Sequence, residues 1–295
     1  MDPTIQNFID QIPRFRGKEI AVRALPRGLT NRNYRITCGE DHYVLRIPGA
    51  NTALLGIDRN VEYACSQAAF AAGIGPEVVA FFPYEGVMLT RFVTGKVQSA
   101  KSVQQPDVLR RVVASVRRYH EGPSGMETFS PFETVRQYYA EAKKRSVTFP
   151  TQMPEALERF EQIRTELGTA SNSCSCHNDL LPANFIDQGN SILILDWEYA
   201  GVGDPFFDLG NLAANSRLLP EGEKSLLRFY FGKVRIDDQR RLRLMRMASD
   251  MREAMWGFLQ MGISRLNVDY KAYTSRYFKR FFAASTASGR FRRMR

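Results

Sequence analysis

Three oxygen-bearing side chains set the chemistry open to this chain. Asp179 stands in the run His177-Asn178-Asp179-Leu180-Leu181-Pro182-Ala183-Asn184, and Asp196-Trp197-Glu198 follows shortly after. Transfer of a phosphoryl group to an alcohol calls for that set: one carboxylate to orient the hydroxyl and take its proton, and an amide and a second carboxylate to hold Mg²⁺ against nucleotide phosphates. The spacing agrees. Residues 184–187 and 191–195 read as two strands around the turn Gln188-Gly189-Asn190. Asn184 and Asp196 are therefore expected nearly opposite each other across an antiparallel pair, within reach of one metal ion. An isolated H-x-D is a common capping turn; the Asn five residues after the Asp, and a further Asp closing an apolar strand, separate this run from chance. His177 has no obvious proton to move and reads as a buttress that hydrogen-bonds the loop.

Two lobes are expected to position these residues. In residues 1–93 a helix over 4–12 precedes strands at 19–25, 33–37, 42–47, 78–82 and 87–93, with a helix over 58–72 that stops at Gly73 and Pro76. That describes an α+β lobe around a small antiparallel sheet. On the strand over 42–47, Arg46 shares a face with Val44, while Tyr43, Leu45 and Ile47 share the other. A hinge is expected between Arg91 and Gly95, where the backbone, at Val93 among others, offers hydrogen bonds to an adenine. Residues 94–295 form a second, mainly helical lobe, with helices over 106–121, 132–144, 154–167, 221–231, 238–263 and 269–284.

The run around Asp179, together with Asp196-Trp197-Glu198-Tyr199-Ala200-Gly201, resembles the choline/ethanolamine kinase family, within the aminoglycoside-phosphotransferase-like branch of the protein-kinase fold. The resemblance extends to Gly28-Leu29-Thr30-Asn31-Arg32-Asn33-Tyr34, Tyr43-Val44-Leu45-Arg46-Ile47 and Met255-Trp256-Gly257. It implies a protein-kinase-like two-lobe fold, with ATP and Mg²⁺ as cofactors and Asp179 as the base. Asn184 and Asp196 would then be metal ligands. Gly28 would admit a phosphate to the backbone N–H groups of the loop over 26–32, with Thr30 and Asn31 adding side-chain donors. Arg46 would contact the phosphates, held by Glu62.

The acceptor is the less defined half. A quaternary ammonium takes no ordinary hydrogen bond, so a choline site needs aromatic faces and nearby carboxylates. Trp256 lies on the long helix with Leu244, Met247, Met251 and Met255; Tyr199, Tyr270 and Tyr273 are candidate further walls, and Glu198 is the candidate carboxylate. Three positions depart from the family pattern: Arg27 where the nucleotide loop commonly has a glycine before Gly28, Leu259 where a second tryptophan is common, and Asn215 where a glutamate is common. Choline or ethanolamine is the expected acceptor, with an aminoglycoside or thiamine-type phosphotransferase and a non-catalytic pseudokinase as alternatives. A pseudokinase has no need of a base, which argues against it.

Composition is compatible. A chain of 295 residues, 44% hydrophobic, is long enough for two packed lobes. No run of eighteen apolar residues and no signal-peptide pattern is present, so no membrane span and a cytoplasmic location are expected. Cys38, Cys65, Cys174 and Cys176 are too scattered for a disulfide framework, and a C-x-C pair lacks the usual zinc spacing; reduced, packed thiols are expected. The net charge of +10 is concentrated at the end: residues 271–295 hold eight basic side chains and no acidic one, leaving +2 elsewhere. That is a solvated tail, and no nucleic-acid partner is expected.

Overall fold

Alternating β-branched and aromatic residues in the first hundred positions favour a sheet with one covered face. The computed structural model describes residues 2–25, 30–122, 127–168, 172–266 and 268–287. After α1 (Pro3–Asp10) come β1 (Ala21–Leu25), β2 (Asn31–Cys38), β3 (Asp41–Pro48), α2 (Arg59–Ala71), β4 (Val78–Phe82) and β5 (Val87–Arg91). The five strands form one antiparallel sheet in the order β1-β2-β3-β5-β4. Tyr43, Leu45 and Ile47 of β3 pack with Ile36, Val87 and Leu89, and α1 closes that layer with Ile5, Phe8 and Ile9. Arg46 is one residue out of phase and meets α2 instead. The Asp58 carboxylate caps α2 by accepting from the N–H groups of Asn60 and Val61, which fixes where Glu62 sits in the first turn.

Beyond the sheet, β6 (Lys96–Val97) leads to α3 (Ala100–Val103), α4 (Pro106–His120), α5 (Pro131–Lys144) and α6 (Met153–Leu167). Then follow β7 (Cys174–Cys176), β8 (Phe185–Asp187), β9 (Ile192–Ile194), β10 (Gly201–Gly203), α7 (Pro205–Asn215), α8 (Pro220–Phe231), α9 (Ile236–Ile263) and α10 (Tyr270–Ala287). The order β6-β8-β9 ties the linking segment to the hairpin that carries Asn184 and Asp196. β7 pairs antiparallel with β10.

Helix α9 is the axis of this lobe. Every residue from Met247 to Gln260 is buried, so the helix is enclosed on all sides rather than amphipathic. It packs against α5, α7 and α10, and glycines permit the closest approaches. A Cβ on Gly210 of α7 would lie 2.6 Å from the Met245 carbonyl carbon, and one on Gly257 of α9 would lie 2.1 Å from Thr274 Oγ1 of α10.

Some elements differ from the sequence expectation, and the short α3, β6 and β10 were not foreseen. Helix α7 was not anticipated, although Asp204 caps it and Pro205 opens it. Asn31 lies within β2, opposite Pro48, rather than in the preceding loop, and β5 ends at Arg91 rather than at 93. Gly28, like the basic tail at 290–295, lies outside the described residues.

Gly210→Ala is expected to cost about 1–3 kcal/mol, because the clash is with backbone and can be relieved only by moving α7 from α9. A shift of the urea midpoint at unchanged slope measures it; an unchanged midpoint would mean that the helices have room to spare.

Candidate active site

The loop that bears Asp179 is held by one carboxylate behind it. Asp208, in the first turn of α7, accepts from the backbone N–H of His177 at 2.8 Å and of Asn178 at 2.7 Å, and from His120 Nε2 at 2.9 Å. Burial opposes ionisation of Asp208, yet the hydrogen bond and charge of His120 hold its carboxyl below the usual value. Burial likewise opposes the charged form of His120, and Asp208 and Cys174 outweigh it, raising the imidazole to about 9. The result is a buried ion pair. Asn178 adopts φ 63°, a left-handed conformation uncommon outside glycine, and its side chain donates to the Tyr199 carbonyl at 3.0 Å.

His177 acts as the expected buttress. Its Nε2 donates to the Leu195 carbonyl (3.0 Å), its Nδ1 accepts from the Asp179 N–H (3.2 Å), and its ring packs on Trp197 at 4.5 Å. Burial lowers its pKa, which favours the neutral tautomer that this pattern requires.

Asn184 and Asp196 come together as the hairpin register requires. Phe185 pairs with Ile194, the Leu195 N–H donates to the Asn184 carbonyl at 2.9 Å, and Asp196 follows with φ 68°. Asn184 Nδ2 donates to the Asp179 carbonyl at 3.1 Å, which leaves its Oδ1 for another partner. Loss of bulk solvent and then Glu198 push the Asp196 carboxyl well up. Because Asp196 is exposed in the cleft, the repulsion from Glu198, Glu62 and Asp179 is the firmer cause. Asp179 itself is only 7% exposed. Burial pushes its carboxyl up to about 7, with Arg252 opposing and Glu253 and Glu198 reinforcing.

On the sheet side, Glu62 accepts from Arg46 and, at 2.6 Å, from Arg59; Arg59 also reaches Glu198 at 3.1 Å. Arg46 Nε and Nη2 have no partner among the described residues. Two sequence assignments need correction here. Asn31 donates to Glu198 at 3.0 Å and accepts from Arg59 at 3.1 Å, so it ties the lobes together instead of standing free in a phosphate loop. Glu198 belongs to the same network rather than standing as a free carboxylate for the acceptor. Arg91 is a third correction: its guanidinium is taken by Asp41 and Glu77, and its N–H by the Glu77 carbonyl, so it pins the end of β5 between its two neighbouring strands. Val93 lies in the irregular segment between β5 and β6, and Thr30 in a bend just before β2.

The aromatic residues do converge. Trp256 Nε1 donates to the Tyr199 hydroxyl at 3.0 Å, and its ring lies 5.9 Å from Tyr270 and 5.3 Å from Tyr273. Sequence reasoning missed the two charges among them. Glu253 accepts from the Tyr273 hydroxyl and, at 2.5 Å, from Arg252 Nη1, which also reaches Asp179 Oδ1 at 3.1 Å. The Arg252 guanidinium lies 4.3 Å over the Tyr199 ring. The available signal was an adjacent Arg-Glu pair one turn before a tryptophan in an otherwise apolar stretch. The thiols of Cys174 and Cys176 are free and 3.7 Å apart. His120 joins them within 4.8 Å, but its two ring nitrogens are engaged by Asp208 and Tyr230.

Residues 21–244 match the sequence model of the phosphotransferase enzyme family. The chain belongs to that family. This phosphotransferase is similar to protein LicA of Haemophilus influenzae, 29% identical over 69% of this chain and 60% of that protein. It is also similar to ethanolamine kinase 2 of Mus musculus, 24% identical over 68% of this chain and 54% of that protein. The matched part thus spans little more than half of these relatives. The crystal structure of a choline/ethanolamine kinase family protein from Mesorhizobium loti superposes with a TM-score of 0.80 at 29% identity, covering 95% of this chain and 93% of the other. The two-lobed α+β architecture is that of the protein-kinase-like phosphotransferases. Among the described residues, no helix is long and apolar enough to cross a membrane.

Asp208→Ala would leave two buried N–H groups and a buried imidazolium unpaired, at an expected cost of about 3–5 kcal/mol. The pH dependence follows from His120: its folded value lies above the ordinary 6.5, so its contribution is complete below that pH and fades as pH rises through about 9. Denaturation midpoints from pH 6 to 10 should therefore decline in the wild type, with a shallower slope in His120→Gln. Equal slopes would exclude the ion pair as the cause.

Proposed function

We propose that this phosphotransferase transfers the γ-phosphoryl group of ATP, with Mg²⁺, to the hydroxyl of a small amino alcohol, choline or ethanolamine. The observation that carries the reading is the aromatic cluster of Trp256, Tyr199, Tyr270 and Tyr273, with the Glu253 carboxylate inside it, beside Asp179. Such faces suit an ammonium ion, by about 2 kcal/mol for a desolvated contact. Similarity to proteins described as ethanolamine kinase 2 and as a choline/ethanolamine kinase family member supports the same class. We place the lobe boundary after Val93.

The cleft suits a hard cation. Among the described residues, Asp196 makes no hydrogen bond and is crowded by carboxylates, and the Oδ1 of Asn184 accepts from no donor. Oxygen ligands of this kind fit Mg²⁺, which when bound would neutralise charge on the nucleotide phosphates. The side chains supply the remainder. Arg46, fixed by Glu62, offers its Nε and Nη2 to a phosphate oxygen. Asp179 Oδ1 is held by Arg252, so Oδ2 is the oxygen free to accept the hydroxyl proton. The aromatic cluster excludes water around the ammonium end and points the hydroxyl end toward Asp179.

Coupled ADP release with choline, ethanolamine, thiamine and an aminoglycoside in turn tests the reading. Turnover with choline or ethanolamine is expected; turnover with the aminoglycoside alone would overturn it. Asp179→Asn should lower kcat on the order of 10²-fold or more with nucleotide affinity retained. Because the base must be ionised, kcat/KM should rise with pH through about 7 rather than through the ordinary carboxylate range. Trp256→Ala should raise the alcohol KM roughly thirtyfold and leave the ATP KM nearly unchanged. Equal losses for both substrates, with a lowered Tm, would give Trp256 a packing role only.

A further inference from the structure

The thiols behind the catalytic loop have no part in the chemistry described above. Cys174 and Cys176 lie two residues apart on β7, so their side chains leave the same face of the strand, and their sulfurs are 3.7 Å apart. Two steps along a strand span about 6.4–6.8 Å, at the upper limit for a disulfide, whose sulfurs must close to about 2.05 Å. The separation suits a shared ion better. With Zn–S bonds of about 2.3 Å, two thiolates on a tetrahedral centre stand about 3.8 Å apart. Helix α4 supplies a third donor: a ring nitrogen of His120 lies within 4.8 Å of both sulfurs. The C-x-C spacing alone gave no sign of it, because the histidine comes from another element. Its hydrogen bonds fit a metal ligand. Nε2 is turned to Asp208 Oδ2 at 2.9 Å, as in the carboxylate–histidine–metal arrangement, which leaves Nδ1 for an ion. Nδ1 now meets the Tyr230 hydroxyl at 2.7 Å. Burial and then the sulfurs of Cys174 and Cys176 push that hydroxyl up, so its oxygen stands beside the same two sulfurs. Tyr230 is half-buried near the end of α8, which gives the hydroxyl room to withdraw toward solvent.

We infer that Cys174, Cys176 and His120 Nδ1 form a binding site for one soft divalent cation of the zinc class, with Asp208 behind the histidine and the fourth position open toward the half-buried Cys174. Thiolate and imidazole donors select such an ion against Mg²⁺, which takes oxygen. The two metal positions of the chain are thus sorted by ligand chemistry: the oxygens of Asn184 and Asp196 in the cleft, and sulfur and nitrogen behind the loop. The cation takes the place of ligand protons, one from Nδ1 and one held between the two sulfurs. His120 keeps its Nε2–H on Asp208 throughout, so the brace of the catalytic loop persists in the loaded protein. The ion adds a second tie between α4 and β7, the strand that runs directly into His177 and Asn178. Loading therefore stabilises the fold at the point where the loop is held, without entering the cleft.

The probes are Zn²⁺ and its coloured substitute Co²⁺, added to the reduced, metal-free full chain with Mg²⁺ in excess to hold the oxygen ligands. One Zn²⁺ per chain should bind and raise Tm, and Co²⁺ should develop the near-ultraviolet charge-transfer band of thiolate ligation. Outer-shell partners are worth about 10–100-fold in metal affinity, so removal of a ligand itself in Cys174→Ser should weaken Co²⁺ binding roughly 100-fold or more. Cys174 is half-buried, and the Tm of the metal-free variant, close to that of the wild type, separates a lost ligand from a lost fold. Tyr230→Phe removes the competitor for Nδ1 and should bind at least as tightly as the wild type. Cys38→Ser, in the sheet of the other lobe, should leave the band and the gain in Tm unchanged. Failure to bind Zn²⁺ would overturn the site, as would a raised Tm without the Co²⁺ band, which places the ion on oxygen ligands. Equal binding in Cys174→Ser would overturn it too, and so would loss of binding in a Tyr230→Phe variant whose metal-free Tm is unchanged.

Discussion

The position of the reaction centre depends on a buried carboxylate that never touches it. Asp208 gathers the ends of three elements: the N–H groups that close β7, the imidazole at the end of α4, and its own helix α7. Its charge is kept by the His120 imidazolium and by the N-terminal dipole of α7. With both oxygens committed, the strained Asn178 backbone has one geometry available, and Asp179 follows in a fixed direction. A loop satisfied only by solvent would sample several. The ion pair therefore acts as a brace whose worth lies in precision more than in net stability, as expected of buried charges generally.

A second set of charges decides how the lobes meet. Arg46, Glu62, Arg59 and Glu198 alternate in sign from the sheet to the catalytic hairpin, and Asn31 bonds to the last two. Each carboxylate has a guanidinium beside it, so the chain is neutralised along its length. Asp196 differs in making no hydrogen bond among the described residues, and the repulsion from Glu198, Glu62 and Asp179 outweighs the attraction of Arg46. The cleft is thus preorganised for cationic company between Asp196 and Asn184, with the buried, unpartnered Nε and Nη2 of Arg46 on the sheet side of it.

What was legible in the sequence was local or periodic. The Asp179–Asn184–Asp196 constellation could be placed because hairpin register follows from turn length, and α2 because Asp58 is a capping residue followed by an acidic first turn. Tertiary choices were not legible. An asparagine before a strand serves equally as a phosphate donor or as a tie; a glutamate 167 positions away selected the second for Asn31. Helix α7 escaped notice although Asp204 followed by Pro205 is a helix start. Arg252 and Glu253 escaped notice for a different reason: in a helix buried on every side, periodicity no longer separates a solvated face from a core face.

The departures from the family pattern make sense together once these two residues are placed, on the proposed reading of the acceptor site. Asn215, where a glutamate is common, is buried and accepts from the Tyr277 hydroxyl at 3.4 Å, so α7 contributes an amide and no charge. The carboxylate comes instead from Glu253 on α9, accompanied by Arg252, the residue before it. Leu259, where a second tryptophan is common, is fully buried in the packing of α9. Counting the side chains around the acceptor, two carboxylates, Asp179 and Glu253, face one guanidinium, which leaves a single negative charge. Two buried carboxylates without the guanidinium would hold a proton between them, and Asp179 could not then serve as a base near neutral pH. One residual negative charge is balanced by one ammonium. A polycationic aminoglycoside would bring several charges into a site with one to offer, each stripped of water for little return. The Arg252–Glu253 pair therefore sets the charge that the pocket accepts as well as the state of the base beside it.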